Sequence, residues 1–209
     1  MTTAPTFTDA HLPDGLRAIA LVLHGGAEHG RMPVDGRSLS WRRGRALARH
    51  VAGPLGDDGV GVVLLRYRMK GWNAAGGELP APVADARWAL DELARTRGLP
   101  VVIVGHSMGA RTAVAVADHP SVTGVVALAP WFPPGEPVAA LAGKVLRAGH
   151  GRRDRITSAR ATRKYVERAG RVADAEFTDM GALGHYLLFG VRRWNRFAVA
   201  GVREVLARA

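Results

Sequence analysis

Short apolar runs, many of them β-branched, alternate along this chain with longer stretches of helical repeat, and that alternation specifies a parallel sheet covered by helices. The strand candidates are Ala18 to Leu23, Gly61 to Leu65, Val101 to Val104, Val122 to Leu128, Lys144 to Ala148 and Asp174 to Thr178. Between and after them, Arg42 to Val51, Pro82 to Arg95, Gly109 to Asp118, Ala159 to Ala169 and Val191 to Ala209 have the length and apolar periodicity of helices. Runs that are apolar at every position fit strands buried on both faces. The expected architecture is a three-layer α/β sandwich with a mostly parallel sheet of about six strands.

A chain of 209 residues is long enough for one hydrophobic core and short for two catalytic domains. Residues 1–209 are therefore read as a single domain, with 1–17 as an amino-terminal extension. Residues Ala27 to Leu39 and Met69 to Pro80 are rich in Gly, Pro and polar side chains, as expected of surface loops that rim a site. Trp41, Trp72 and Trp88 read as core or rim packing.

The formal charge of +11 raises nucleic-acid binding, which depends on basic side chains displacing counterions from phosphate. The arginines are scattered from Arg17 to Arg208 and lysine occurs only at 70, 144 and 164, so no aromatic-laced basic patch forms and no nucleic-acid partner is expected. No apolar run has bilayer length. The first residues lack a basic cluster followed by an apolar stretch, so a cytoplasmic location without membrane partners is expected. With no cysteine in the chain, disulfides, thiolate zinc sites and thiol nucleophiles are excluded.

Chemistry concentrates at Gly105-His106-Ser107-Met108-Gly109, directly after the apolar run Val101 to Val104 and directly before a helical stretch. A strand-to-helix turn this tight forces its central residue into a strained backbone conformation and brings neighbouring segments close, so glycines are needed on either side. The turn would lift the Ser107 hydroxyl above the sheet at the start of a helix, whose first amides favour negative charge.

A serine hydroxyl needs a base, and imidazole suits that task near neutrality. Of eight histidines, His185 stands in the loop after the last strand candidate and before the final helix, where it can reach back over the sheet edge. His11, His29, His50 and His119 have no comparable placement and read as solvated or capping residues. Asp154 lies one βα unit earlier, just past the strand ending near Ala148, and would fix the imidazole tautomer. Asp179, nearer His185 in sequence, is the alternative acid. Two backbone amides should face the developing oxyanion: one from Met108, the other from the segment Leu23-His24-Gly25-Gly26, with Gly26 the first choice and Ala27 the second.

The ordered set His-Gly-Gly, Gly-His-Ser-Met-Gly, Gly-x-x-Asp and Gly-His resembles the α/β-hydrolase superfamily, particularly its small esterase, lipase-like and dienelactone-hydrolase-like members, over nearly the whole chain from Ala18. The resemblance implies Ser107 as nucleophile, Asp154 as acid, His185 as base, and Gly26 with Met108 as oxyanion donors. Only a short segment precedes Ala18, so the amino-terminal antiparallel strands look truncated or missing. Pro130 to Gly143, where many relatives insert a helical cap, is short, which implies an open, wet site. Trp131, Phe132, Pro133 and Pro134 could wall it beside Ser107 or form an ordinary packed loop.

The activity expected is cleavage of a carboxylic ester or thioester through an acyl-serine intermediate, with a small-molecule or acyl ester as partner and neither metal nor organic cofactor. The alternatives are an acyltransferase or perhydrolase on the same residues, and a non-catalytic binding protein on the same scaffold.

Overall fold

The computed structural model describes residues 4–73 and 79–209, so part of the loop Met69 to Pro80 and the first three residues of the extension lie outside the described residues. Among the described residues, seven strands form one sheet: β1 (Thr6–His11), β2 (Ala18–Leu23), β3 (Val60–Arg66), β4 (Val101–His106), β5 (Val122–Leu128), β6 (Val145–His150) and β7 (Asp174–Asp179). Their spatial order is β1-β3-β2-β4-β5-β6-β7. All neighbours run parallel except β1, which pairs antiparallel with β3.

The mostly parallel sheet is the one expected, at about six strands, and its seventh strand lies inside the segment read as an extension. Residues Thr6–His11 have only one sheet neighbour, and an edge strand needs no continuous apolar run to be stable. Its Phe7 stacks on the half-exposed Trp88, ring centroids 5.2 Å apart. One amino-terminal antiparallel strand is thus retained. The central strands β2 and β4 are buried throughout, whereas the edge strand β7 alternates between exposed and half-buried residues, as expected from their positions in the sheet.

The helices are α1 (Leu39–Gly56), α2 (Ala81–Arg97), α3 (Met108–Ala115), α4 (Ala159–Ala169) and α5 (Val191–Ala207). The connection from β2 to β3 moves one way along the sheet, and every later parallel connection moves the other way. Right-handed crossovers therefore put α1 on one face and α2, α3 and α4 on the other. The contacts agree: α1 packs on β3 and α5, α2 packs on α3, and α4 packs on β6 and β7. No helix among the described residues is long and apolar enough to cross a membrane.

The reversal falls between β2 and β4, adjacent strands whose connections leave toward opposite faces. That is where an open α/β sheet leaves a crevice beyond its carboxyl ends. Above it, the two Gly-rich loops are tied to each other. Ala27 N–H donates to Lys70 O at 2.9 Å, Gly71 N–H to Gly30 O at 2.9 Å and Lys70 N–H to Met32 O at 3.0 Å. Gly71 approaches so closely that a Cβ there would lie 2.3 Å from Gly30 N. Between β5 and β6 the chain forms only the short 3-10 turn Ala139–Leu141, and no cap helix covers the crevice among the described residues.

Candidate active site

Strand register brings the first two motifs together. Leu23 of β2 lies opposite Gly105 of β4, so His24-Gly25-Gly26 leaves the sheet alongside His106-Ser107-Met108. Ser107 then turns the chain into α3 with φ 56 and ψ −117, a conformation that costs a non-glycine residue strain and persists only where surrounding contacts enforce it. Those contacts are backbone bonds: Ser107 N–H donates to Leu128 O at 3.1 Å, and Ser107 O accepts from Ala110 at 3.1 Å and Trp131 at 3.2 Å. The flanking glycines are required by contact distance. A Cβ on Gly109 would lie 2.2 Å from Leu23 O, and one on Gly105 would lie 2.5 Å from Ala110 Cα.

Ser107, His185 and Asp154 meet in space. His185 Nε2 is 3.0 Å from Ser107 Oγ, and His185 Nδ1–H donates to Asp154 Oδ2 at 2.7 Å. Ser107 and His185 are 7% and 6% exposed, so both side chains are more enclosed than the expected open, wet site. Asp179, the alternative acid, instead accepts from Gly181 N–H at 2.7 Å and faces Arg152 at 3.4 Å. It takes no part in the cluster.

The Asp154 carboxylate is saturated with donors. Oδ1 accepts the backbone N–H groups of Ile156 and Thr157, each at 2.8 Å. Oδ2 accepts His185, His150 Nε2–H at 3.0 Å and the Thr157 hydroxyl at 2.9 Å. Burial raises the carboxyl's pKa, but the hydrogen bonds from His150, His185, Thr157 and Ile156 together outweigh it and hold the group well below the usual carboxylate range.

Two other histidines support the cluster from beneath. His106, buried, donates from Nε2 to the carbonyl of His185 at 2.8 Å, pinning the loop that carries His185 onto the turn that carries Ser107. Burial, with the nearby His185 adding, pushes its pKa down to about 3, so it is a neutral donor. His24 donates from Nδ1 to Gly25 O at 2.6 Å, and burial lowers its pKa to about 4. Sequence reasoning passed over His106, His150 and Thr157 in these roles. The one available signal was that His150 and Asp154 are four residues apart at the end of a strand.

Gly26 packs directly on Met108: a Cβ there would lie 2.3 Å from Met108 Cε and 2.5 Å from Lys70 O. Ala27, the second choice for an oxyanion donor, has its N–H committed to Lys70 O. Met108 opens α3, where a first-turn amide has no acceptor four residues back.

On the other side, the Arg111 guanidinium lies between the rings of Trp72 and Trp131, 4.0 and 4.5 Å from their centroids, and pairs with the buried Glu136 at 2.7 Å. Burial raises the Glu136 carboxyl, and Arg111 partly offsets the rise. Of the expected wall, Trp131 donates its backbone N–H to Ser107 O at 3.2 Å. Phe132 stacks on Tyr165, and Phe132, Pro133 and Pro134 line a separate cavity of about 490 Å³ against α4. Phe132 is buried against α4, whereas Pro133 is half-buried and Pro134 exposed.

Residues 20–208 match the model of the alpha/beta hydrolase family. A search of curated proteins returns no match. Among solved structures, the chain is similar to an α/β serine hydrolase homologue from Coxiella burnetii (15% identity, 97% of this chain and 98% of that one, TM-score 0.68). It is also similar to a lidless α/β serine hydrolase from Xanthomonas campestris (18%, 93% and 87%, TM-score 0.66). A butyrate-bound esterase from Thermogutta terrifontis is a third (16%, 96% and 89%, TM-score 0.68). At these identities the likeness is one of fold.

Proposed function

Given that the chain belongs to the α/β-hydrolase family, we propose that it is a serine hydrolase cleaving a carboxylic ester or thioester through an acyl-serine intermediate. The observation that carries this reading is the unbroken contact from Ser107 Oγ through the His185 ring to Asp154, set at the carboxyl ends of β4, β6 and β7. The esterase and serine-hydrolase neighbours are consistent with it.

His185 holds its proton on Nδ1 because a carboxylate can only accept, which leaves Nε2 free to take the Ser107 proton. Ser107 Oγ then attacks the substrate carbonyl carbon. The oxygen that becomes negative is received by the amides of Met108 and Gly26, aided by the positive end of α3. His185, now protonated, gives its proton to the leaving oxygen as the carbon–oxygen bond breaks. A water deprotonated by His185 releases the acid and restores Ser107.

Fluorophosphonate labelling with mass mapping tests this directly. The protein should be modified stoichiometrically at Ser107, and Ser107→Ala should lose labelling together with at least about 10³-fold of its turnover on a short 4-nitrophenyl ester. Full activity in Ser107→Ala would remove the proposal.

A further inference from the structure

Beside His185 lies a second cavity, of about 260 Å³, in which apolar and cationic side chains meet. Its apolar lining includes Ile156, Leu188 and Phe189, which are 59%, 62% and 82% exposed. Large apolar side chains left in solvent around a reactive group mark a binding surface. The same cavity is bordered by Arg153 and Arg155. Neither guanidinium has a carboxylate within 4.0 Å among the described residues, whereas the adjacent Arg152 has Asp179 at 3.4 Å. The acid between them, Asp154, is turned inward, its side chain 1% exposed and bound to His185 and His150. It presents no oxygen to neutralise them from outside.

The reaction geometry decides which part of a substrate enters. In the step that breaks the ester bond, His185 Nε2–H must reach the leaving oxygen, whereas the acyl oxygen faces the Gly26 and Met108 amides. The cavity has His185 in its wall and none of residues 24–26, 107 or 108. It therefore stands on the leaving-group side. Resting on the hydrolase reading above, we infer that the preferred substrate is an ester whose leaving group is an apolar alcohol or phenol bearing an anionic group, the apolar part lying on Ile156, Leu188 and Phe189 and the charge on Arg153 and Arg155.

The test compares two acetate esters of matched shape, 4-acetoxybenzoate (anionic) and 4-acetoxybenzamide (neutral), each kcat/KM divided by that ester's rate with hydroxide to cancel leaving-group reactivity. The parent should favour the anion about tenfold, the size two partly exposed ion pairs support. The ratio should collapse at about 1 M salt, where charges are screened within about 3 Å. It should fall to about one in the Arg153→Ala/Arg155→Ala double variant and invert in Arg153→Glu/Arg155→Glu. Arg152→Ala, which removes the same charge next door, should keep the parent's ratio. Fluorophosphonate labelling of each variant separates the two levels. A labelled parent with a ratio of one, a ratio that survives the double substitution, or a labelled parent that turns over neither ester would overturn the anionic leaving group and leave the hydrolase standing. A parent that is not labelled removes both.

Discussion

Replacing Asp154 with Asn should separate activity from stability, and the hydrogen bonds around the carboxylate say by how much. The asparagine amide can sit in either of two orientations. With its NH₂ on the Oδ1 side, it opposes the N–H groups of Ile156 and Thr157, donor against donor. With its NH₂ on the Oδ2 side, those backbone bonds are kept and the two imidazoles must accept instead of donate. His150 can do this without loss, since its Nδ1–H then donates to Thr162 Oγ1 at 2.8 Å, while the Thr162 hydroxyl turns to Ser158 O at 3.3 Å. The Thr157 hydroxyl has Ala129 O at 3.4 Å as an alternative. The second orientation therefore prevails. Four charge-assisted bonds, from the Ile156 and Thr157 N–H groups and the two imidazoles, become neutral ones and the Thr157 hydroxyl's is lost, a cost of about 4 kcal/mol. His185, however, now carries its proton on Nε2 and offers Ser107 a donor instead of a base. Turnover should fall about 10⁴-fold, equivalent to about 5 kcal/mol in the barrier.

The assays are kcat/KM on a short 4-nitrophenyl ester and urea unfolding of both proteins. The pH dependence adds a sign. The parent's carboxyl is depressed in the folded state, so its stabilisation is fully present above the unfolded pKa of about 3.9 and is lost as pH falls toward the folded value. The stability gap between parent and Asp154→Asn should accordingly narrow below about pH 4. An asparagine variant within about tenfold of parental activity would refute the reasoning, because it would show that the imidazole needs no carboxylate to hold its tautomer.

Gly26→Ala should cost about 10²- to 10³-fold in kcat, since its Cβ would meet Met108 Cε at 2.3 Å and the Lys70 carbonyl at 2.5 Å and push the amide off the oxyanion; a KM effect alone would contradict this. His106→Leu should lose about 1–3 kcal/mol by stranding the buried His185 carbonyl, measured by urea unfolding at pH 7. The buried neutral His106 and His24 have folded pKa values of about 3 and about 4. Protonation therefore favours the unfolded chain, and parental stability should decline as pH falls from about 6.5 toward those values, less steeply in His106→Leu.

The core strands and the turn that carries Ser107 were legible because their causes are local. A strand buried on both faces must be apolar at nearly every position, as in Ile19 to Leu23 or Val101 to Val104, and a hydroxyl raised on a strand-to-helix turn must have glycine on both sides. The edge strand Thr6–His11 escaped because one backbone partner stabilises it without an apolar signature. Phe132 and the two prolines after it fit a site wall and an ordinary packed loop equally well in sequence, because apolarity does not say which neighbour an apolar side chain will meet.

By itself, then, the chain determined a mostly parallel sheet, a serine held above it, and a short set of candidate acids and bases in the loops at one end. Tertiary structure alone decided that Asp154 and not Asp179 meets His185, that His150 shares the same oxygen, and that Ala27 spends its amide on Lys70. Those choices depend on angstrom-scale approach between segments far apart in the chain, such as Ala27 and Lys70, set by how the helices seat on the sheet. A local pattern specifies which residues are buried, whereas the pairing of buried polar atoms follows only from the packed arrangement that encloses them.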